Sequence, residues 1–426
     1  MKASENQLNF ELEKLAVLGG SPIFQEKLHV GRPNIGDKKR FIERVEDILD
    51  RRWLTNDGPY AEKLRHQLIE YTGGKHCILM CNGTVALEIA ARALELKGEV
   101  IVPSFTFVAT PHALQWQEIT PVFCDVDPLT HNIDPLKIEK LITPKTTGIL
   151  GVHVWGRPCN IEMLTNIANR YHLKLFFDGA HALGCSHKGQ MIGNYGEATV
   201  FSFHATKFMN TFEGGAVVTN DAQLADKMRL MKNFGFGPGY DNVIYSGING
   251  KMSEISAAMG MTNLESIQNF IDINFRNYQQ YKAELADIPG INLAIYDESE
   301  KNNYQYIILE VDSEKAGITR DQLVQILHAE NILARRYFYP GCHHMEPYRS
   351  HFPNAKLLLS QTETLSQKVL SLPTGTAVDT EIIKRICGLI RFIVQNGTEI
   401  RQMMSESKMQ SEDGHFEHLR SQRLIS

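Results

Sequence analysis

The chain lacks any hydrophobic run long enough to span a bilayer: none of its 426 residues fall in a stretch approaching the roughly 20 apolar positions a membrane helix needs. The apolar run Leu15-Ala16-Val17-Leu18 is too short for the core of a signal peptide, so a cytoplasmic protein is expected. It lacks excess positive charge as well, with 44 Lys plus Arg against 49 Asp plus Glu and a formal net charge of −5. That balance excludes a broad basic face for nucleic acid or anionic lipid, because both demand cations that neutralise phosphates. A polyanionic ligand must instead meet a local cationic site. Paired cysteines are missing too: the seven are odd in number and scattered through apolar or small-residue contexts, which reads as reduced thiols rather than a disulfide framework. Cys77 and Cys81 have no second pair to complete a zinc site, and Cys342-His343-His344 lacks further partners, so no metal is expected. The patterns G-x-G-x-x-G, G-x-x-x-x-G-K-[ST] and H-E-x-x-H are all absent, which removes the usual support for nicotinamide, P-loop and zincin chemistry.

What is present is a globular composition, 43% apolar and 22% charged, organised as an alternation. From about Cys77 to Thr219, short apolar runs such as Glu99 to Val102, Pro121 to Cys124, Gly148 to Val152, Leu173 to Phe177, Thr199 to Phe203 and Ala216 to Thr219 are separated by helix-patterned segments. Unbroken apolar strands alternating with helices are the signature of a parallel α/β sheet. After Ser253, good helix formers continue to about Ala286 with no strong breaker except Gly260, which predicts one long helix leaving the sheet. Ile288-Pro289-Gly290 then opens a smaller α+β unit closing with Asp379 to Gln395, and the polar remainder reads as a solvated tail.

Four features carry chemistry. Cys81-Asn82-Gly83-Thr84 precedes a helical run, where unpaired helix-start amides and a hydroxyl make a phosphate seat; taken alone it is equally an ordinary capping turn. Asp178 ends a buried strand, on the side of a parallel sheet where ligands bind, or else caps a helix. The strand that delivers Ser202 leads through a short polar link to Lys207, which on its own is a solvated cation. Glu213-Gly214-Gly215 allows close backbone approach, or a hairpin-like turn. Jointly they fit pyridoxal phosphate, which needs a Schiff-base lysine, a carboxylate for its pyridinium nitrogen and a Gly/Ser/Thr cup for its phosphate.

The runs Cys81 to Leu87, Pro103 to Thr110, Phe177 to Gly184, Phe201 to Lys207, Glu213 to Gly215, Asn249 to Glu254 and Leu370 to Pro373 resemble the nucleotide-sugar aminotransferases of the DegT type. The resemblance implies an α/β fold of the fold-type I aminotransferases: a large domain with a mostly parallel seven-stranded sheet sandwiched by helices, plus a small C-terminal α+β domain. On this chain that means an arm over 1–30, a cofactor domain over 31–286, a small domain over 287–396 and a polar tail over 397–426. It further implies a homodimer with both active sites at the interface. Lys207 matches the lysine that holds the cofactor and moves the proton, and Asp178 matches the partner of the pyridine nitrogen. Phe107 matches the aromatic stacked on the ring, and His181 stands where the family has Gln or His near the phenolic oxygen. Gly83, Thr84 and Ser202 match the phosphate cup, and Asn249 matches a residue reaching the phosphate from the other subunit. Lys251 falls where many members have Arg. Two positions depart from the pattern: Gly179 stands where Ala is usual, and Phe212 where Gly is common. Sugar 3-dehydratases of this fold carry His in place of the Schiff-base lysine, so Lys207 favours transamination.

For substrate, Ala334 to Arg349 is similar to the form found in family members that make dTDP-4-amino-4,6-dideoxyglucose. Trp155 to Cys159 and Phe234 to Asn242 look similar to that subgroup too. This implies transfer from L-glutamate to dTDP-4-keto-6-deoxyglucose. A C-3 keto-sugar or UDP-keto-sugar aminotransferase, or a regulator that keeps the cofactor without turnover, stays open at this point. Arg335, Arg336, His343, His344 and Lys251 are candidates to face the diphosphate, Thr55 and Asn56 to line the sugar pocket, and Tyr337 either contacts substrate or packs the small domain.

Overall fold

The computed structural model describes residues 10–239 and 241–406. Tyr240 of the Phe234 to Asn242 stretch, residues 1–9 of the expected arm and 407–426 of the expected tail lie outside the described residues.

The apolar runs pair into one seven-stranded sheet. Its order from one edge is His76–Met80, Gly215–Thr219, Ala198–Ser202, Lys174–Asp178, Thr146–Val152, Glu99–Pro103 and Thr120–Cys124. Only Gly215–Thr219 runs antiparallel to its neighbours. The other six therefore end at the same edge of the sheet, which is where an open α/β sheet binds ligands. Central strands are apolar on both faces because helices cover both: Val100, Ile101 and Val102 are fully buried, as are Phe176 and Phe177. One face packs against Gly83–Ala93 and Ala222–Met231 through an alanine-rich layer, and the other against Pro59–Thr72 and Glu254–Glu265. All seven cysteines are free, and six are buried.

The expected single helix over 254–286 is two, Glu254–Glu265 and Ile267–Leu285, broken where Ser266 leaves helical geometry (φ −101°, ψ 3°). The second helix straddles the two cores: Ile267 and Phe270 pack with the large domain, whereas Tyr278, Tyr281 and Leu285 pack with the small one. The boundary drawn at 286 thus falls beyond a shared element. The small domain holds an antiparallel sheet ordered Ile291–Leu293, Ile307–Val311, Val369–Leu372, covered by Arg320–Ala329 and Thr380–Gln395.

Both ends of the described chain join this small domain. Residues 397–406, expected in the solvated tail, are helical and bury Ile400 and Met404 in its core. From the arm, Leu15, Phe24 and Leu28 enter the same core, and Leu28–His29 pairs in parallel with Ile332–Leu333. The buried Glu330 carboxylate accepts the amides of Ala16 and Ile23, each at 2.8 Å. No described helix is long and apolar enough to cross a membrane.

Candidate active site

A cavity of about 520 Å³ opens at the carboxyl ends of the strands. Of the candidate site residues read from sequence, Gly83, Thr84, Phe107, Asp178, His181, Ser202, Lys207, Arg335 and Tyr337 line it. The helix Gly83–Ala93 starts here because the Asn82 side chain accepts from Val85 N at 2.8 Å. The amides of Gly83 and Thr84 donate to no described residue, which leaves two helix-start donors at the cavity wall. Ser202 closes that corner: a Cβ on Gly83 would sit 3.0 Å from Ser202 Cβ, so glycine permits the approach of strand and helix. Three donors converge as an anion seat.

Across the cavity Asp178 ends its strand with a buried carboxylate. Oδ2 accepts from Thr110 Oγ1 at 2.8 Å and Oδ1 from Ala180 N at 3.0 Å. Burial raises its pKa, and those two donors and Lys207 oppose the rise. Burial also pushes the Lys207 ammonium down to about 8, with Asp178 pulling the other way. Lys207 Nζ donates to Tyr306 Oη at 3.3 Å. The loop bearing Lys207 is braced by the segment after the arm, for Asn34 Nδ2 donates to Phe208 O at 3.0 Å and Asn210 Nδ2 to Asn34 O at 2.8 Å.

His181 is held in one tautomer. Trp155 N donates to its Nδ1 at 3.2 Å, so the proton of the neutral ring belongs on Nε2. Burial keeps the ring neutral, lowering its pKa well below the ordinary histidine range. Trp155 adopts φ 63°, a left-handed conformation that costs a bulky residue energy and aims its amide at the imidazole. The ring lies among aromatics, with Tyr306 4.5 Å away and Trp155 parallel at 5.8 Å. Thr110, Trp155 and Tyr306 were not singled out as site residues. Thr110 ends a run that carries the resemblance and Trp155 opens another, but Tyr306 stands just before the apolar strand Ile307–Val311, where its chemistry leaves no mark.

Tyr337 also lines an adjoining cavity of about 400 Å³ with Arg335, Arg336 and Phe107. Arg335 donates to Tyr337 Oη at 2.8 Å, and Arg336 lies over the Tyr339 ring at 4.6 Å. His343 and His344 line neither cavity. Both imidazole Nε2 atoms lie 2.6 Å from Glu363 Oε1, so their expected diphosphate contact is replaced by this carboxylate.

Asn249, Lys251, Thr55 and Asn56 are also absent from the cavity walls, and they belong to a different patch. Lys251 Nζ donates to Asn249 Oδ1 at 2.7 Å and Asn233 Oδ1 at 2.9 Å. Glu254 N donates to Leu54 O, and Lys232 bonds Asp57 at 2.6 Å, so both segments are tied together. Exposed Trp53, Leu54, Phe234 and Ile248 accompany them.

The two departures have local causes. A Cβ on Gly179 would meet Thr199 Cγ2 at 2.8 Å and Val200 O at 3.2 Å, so the neighbouring strand leaves no room for alanine without movement. Phe212 has φ 64°, the conformation that favours the glycine common there, and its ring packs 5.7 Å from Phe41.

The model of the DegT/DnrJ/EryC1/StrS aminotransferase family matches residues 36–391. The chain is 38% identical over 369 residues to a dTDP-4-amino-4,6-dideoxy-D-glucose transaminase from Shigella dysenteriae, covering 87% of this chain and 100% of that enzyme. It is 37% identical to an Escherichia coli transaminase of the same name, covering 85% and 97%. Among solved structures, DesI in the presence of its TDP-sugar product superposes with a TM-score of 0.88 at 46% identity, covering 92% of this chain and 99% of that one.

Proposed function

The chain belongs to the DegT/DnrJ/EryC1/StrS aminotransferase family, and from that membership we propose that it uses pyridoxal phosphate to move an amino group from L-glutamate to dTDP-4-keto-6-deoxyglucose. The product is dTDP-4-amino-4,6-dideoxyglucose, with 2-oxoglutarate as co-product. The observation that carries the reading is one cavity in which a half-buried lysine amine, a buried carboxylate and three convergent donors stand together.

That donor set fits the cofactor. The Gly83 and Thr84 amides and the Ser202 hydroxyl would hold its phosphate, Asp178 its ring nitrogen, and Lys207 its carbonyl carbon, with Phe107 at the ring face. When bound, the cofactor supplies an electron sink that acidifies the amino acid's Cα–H. Asp178 keeps the ring nitrogen protonated, since a buried carboxylate without a cationic partner is costly. His181 offers its Nε2 proton to the phenolic oxygen. Lys207 would move the proton away from the amino donor's Cα, and an amine pushed down to about 8 has a neutral fraction available near neutral pH. Tyr306 Oη, which accepts from Lys207 Nζ at 3.3 Å, would steady that amine.

The remaining assignments call for a second copy of the chain. Asn249, Lys251, Thr55 and Asn56 sit on an exposed patch with large apolar side chains, and Phe107 beside the cavity is 59% exposed. In a two-fold dimer one surface of each copy meets the other, so each patch completes its partner's site. Asn249 then adds to the phosphate cup, and Lys251, with Arg335 and Arg336, faces the diphosphate. The test is to follow visible absorbance on adding L-glutamate, then to assay the 4-keto sugar against its 3-keto isomer and UDP analogues. Loss of the absorbance band and preference for the dTDP-4-keto sugar are expected. Preference for the 3-keto isomer overturns the substrate assignment, and a glutamate-insensitive protein overturns transamination.

A further inference from the structure

We propose that His343, His344 and Glu363 form a binding site for a divalent transition ion of the zinc class, outside the cofactor cavity. The sequence leaves the Cys342-His343-His344 run without partners; the fold supplies one. Glu363, on the helix Ser360–Lys368, brings its Oε1 to 2.6 Å from both imidazole Nε2 atoms. One donor atom from each of the three side chains lies within 4.8 Å of the other two. Two imidazole nitrogens and a carboxylate oxygen converging on one point are the protein ligands of a three-ligand zinc site with an open fourth position. Cys342 is not among them, because its Sγ is buried against Thr106 O at 3.3 Å.

Several details favour an ion over a purely structural hydrogen-bond pair. A ligating imidazole presents its Nε2 lone pair and carries its proton on Nδ1, which needs an acceptor. His343 Nδ1 lies 2.7 Å from Ser104 Oγ, and that oxygen also receives the His343 amide at 3.1 Å; a hydroxyl has lone pairs for both. Metal bonds of roughly 2.0–2.2 Å spread the donors beyond their present 2.6 Å. Glu363 and His344 have the freedom to do so, each side chain being about a third exposed, while His343 is fixed at 1%. The same exposure leaves an entry path and room for a water ligand. The glutamate's backbone is anchored one residue away: Asp125 accepts the amides of Gln361 and Thr362 at 3.0 and 2.8 Å.

An ion here acts as a clamp. Ser104 follows the sheet strand Glu99–Pro103, Glu363 lies on a small-domain helix, and the histidines end the segment that begins with Arg335 and Tyr337 at the cavity wall. The test uses the full chain, stripped with a chelator and titrated with Co²⁺ and then Zn²⁺. One Co²⁺ per chain with the visible band of a tetrahedral ion, displaced by Zn²⁺, and a Zn²⁺-dependent rise in thermal midpoint are expected. Glu363→Gln and His344→Leu should weaken uptake by roughly 100-fold. Should either fail to fold, Ser104→Ala keeps all three donors and is expected to weaken it about tenfold. Cofactor-borne metal binding is common to all variants and cancels in the comparison. Uptake that is absent, or equal in wild type and variants, overturns the proposal.

Discussion

The cofactor cavity and the Asn249–Lys251 patch differ in how they are built. The cavity is assembled from strand ends and one helix start of the large domain, with Tyr306, Arg335 and Tyr337 of the small domain closing its wall, and its Asp178 and His181 are buried and already oriented by backbone amides and a neighbouring hydroxyl. The patch is exposed, its polar groups bond one another, and it contributes nothing to the cavity of its own chain. In the proposed function the two surfaces divide the labour: the chain carries the reaction chemistry itself, whereas a second copy adds Asn249 to the phosphate cup and Lys251 to the cations that face the nucleotide sugar.

The sharpest way to break that division is complementation. Lys207→Ala should lose at least roughly 10³-fold in turnover and leave no pyridoxyl mass on its peptide after borohydride reduction. Asn249→Ala should hold the cofactor weakly. Subunits of the two variants, mixed and reassociated, should regain about a quarter of wild-type activity, because half the dimers are mixed and each mixed dimer has one intact site. No recovery would mean that the patch and the cavity serve the same chain.

Within the cavity, Tyr306→Phe removes only the oxygen that accepts from Lys207. Turnover should fall about tenfold, the worth of about one hydrogen bond, with KM for the keto sugar little changed. An unchanged rate would make Tyr306 a packing residue.

The Lys207 titration gives a smaller effect with a defined sign. Only the neutral amine is nucleophilic, so cofactor loading of the stripped protein should accelerate as pH rises through about 8, well below the ordinary lysine range. Asp178 favours the ammonium, so Asp178→Asn should move that inflection to lower pH.

The smallest effects concern the departures from the family pattern. Gly179→Ala should cost roughly 1–3 kcal/mol in denaturant unfolding, and Thr199→Ser, by removing the methyl in the way, should recover part of it. Phe212→Gly should change stability by less than about 1 kcal/mol, since relief of the positive φ is offset by lost packing and a freer unfolded chain.

What was legible in the sequence followed the same contrast. Buried parallel strands read as unbroken apolar runs, so most of the sheet and the strand-end groups Asp178 and Ser202 could be found from local pattern. The strand His76–Met80 begins with His and Cys and is less distinct. The helix break at Ser266 carries no proline or glycine, and two buried apolar residues in a polar stretch hid the helical character of 397–406. Glu363 escaped because its partners lie twenty positions away and across a turn of chain. Tyr306 escaped because a buried phenol leading into an apolar strand looks like core until the fold brings it to Lys207.

The arm has a consequence for the order of assembly. Ala16 bonds Glu330, 314 positions later, and Leu28 pairs with Ile332, so the first described segment to leave the ribosome docks among the last. The large-domain sheet uses residues 76–219 and can close on contacts of shorter range. Small-domain packing must wait for the C-terminal third of the chain, and until then Leu15, Phe24 and Leu28 stand uncovered as sticky nascent surface. Slow synthesis between about 220 and 330 would lengthen that exposure, whereas a chaperone occupying the arm would shorten it.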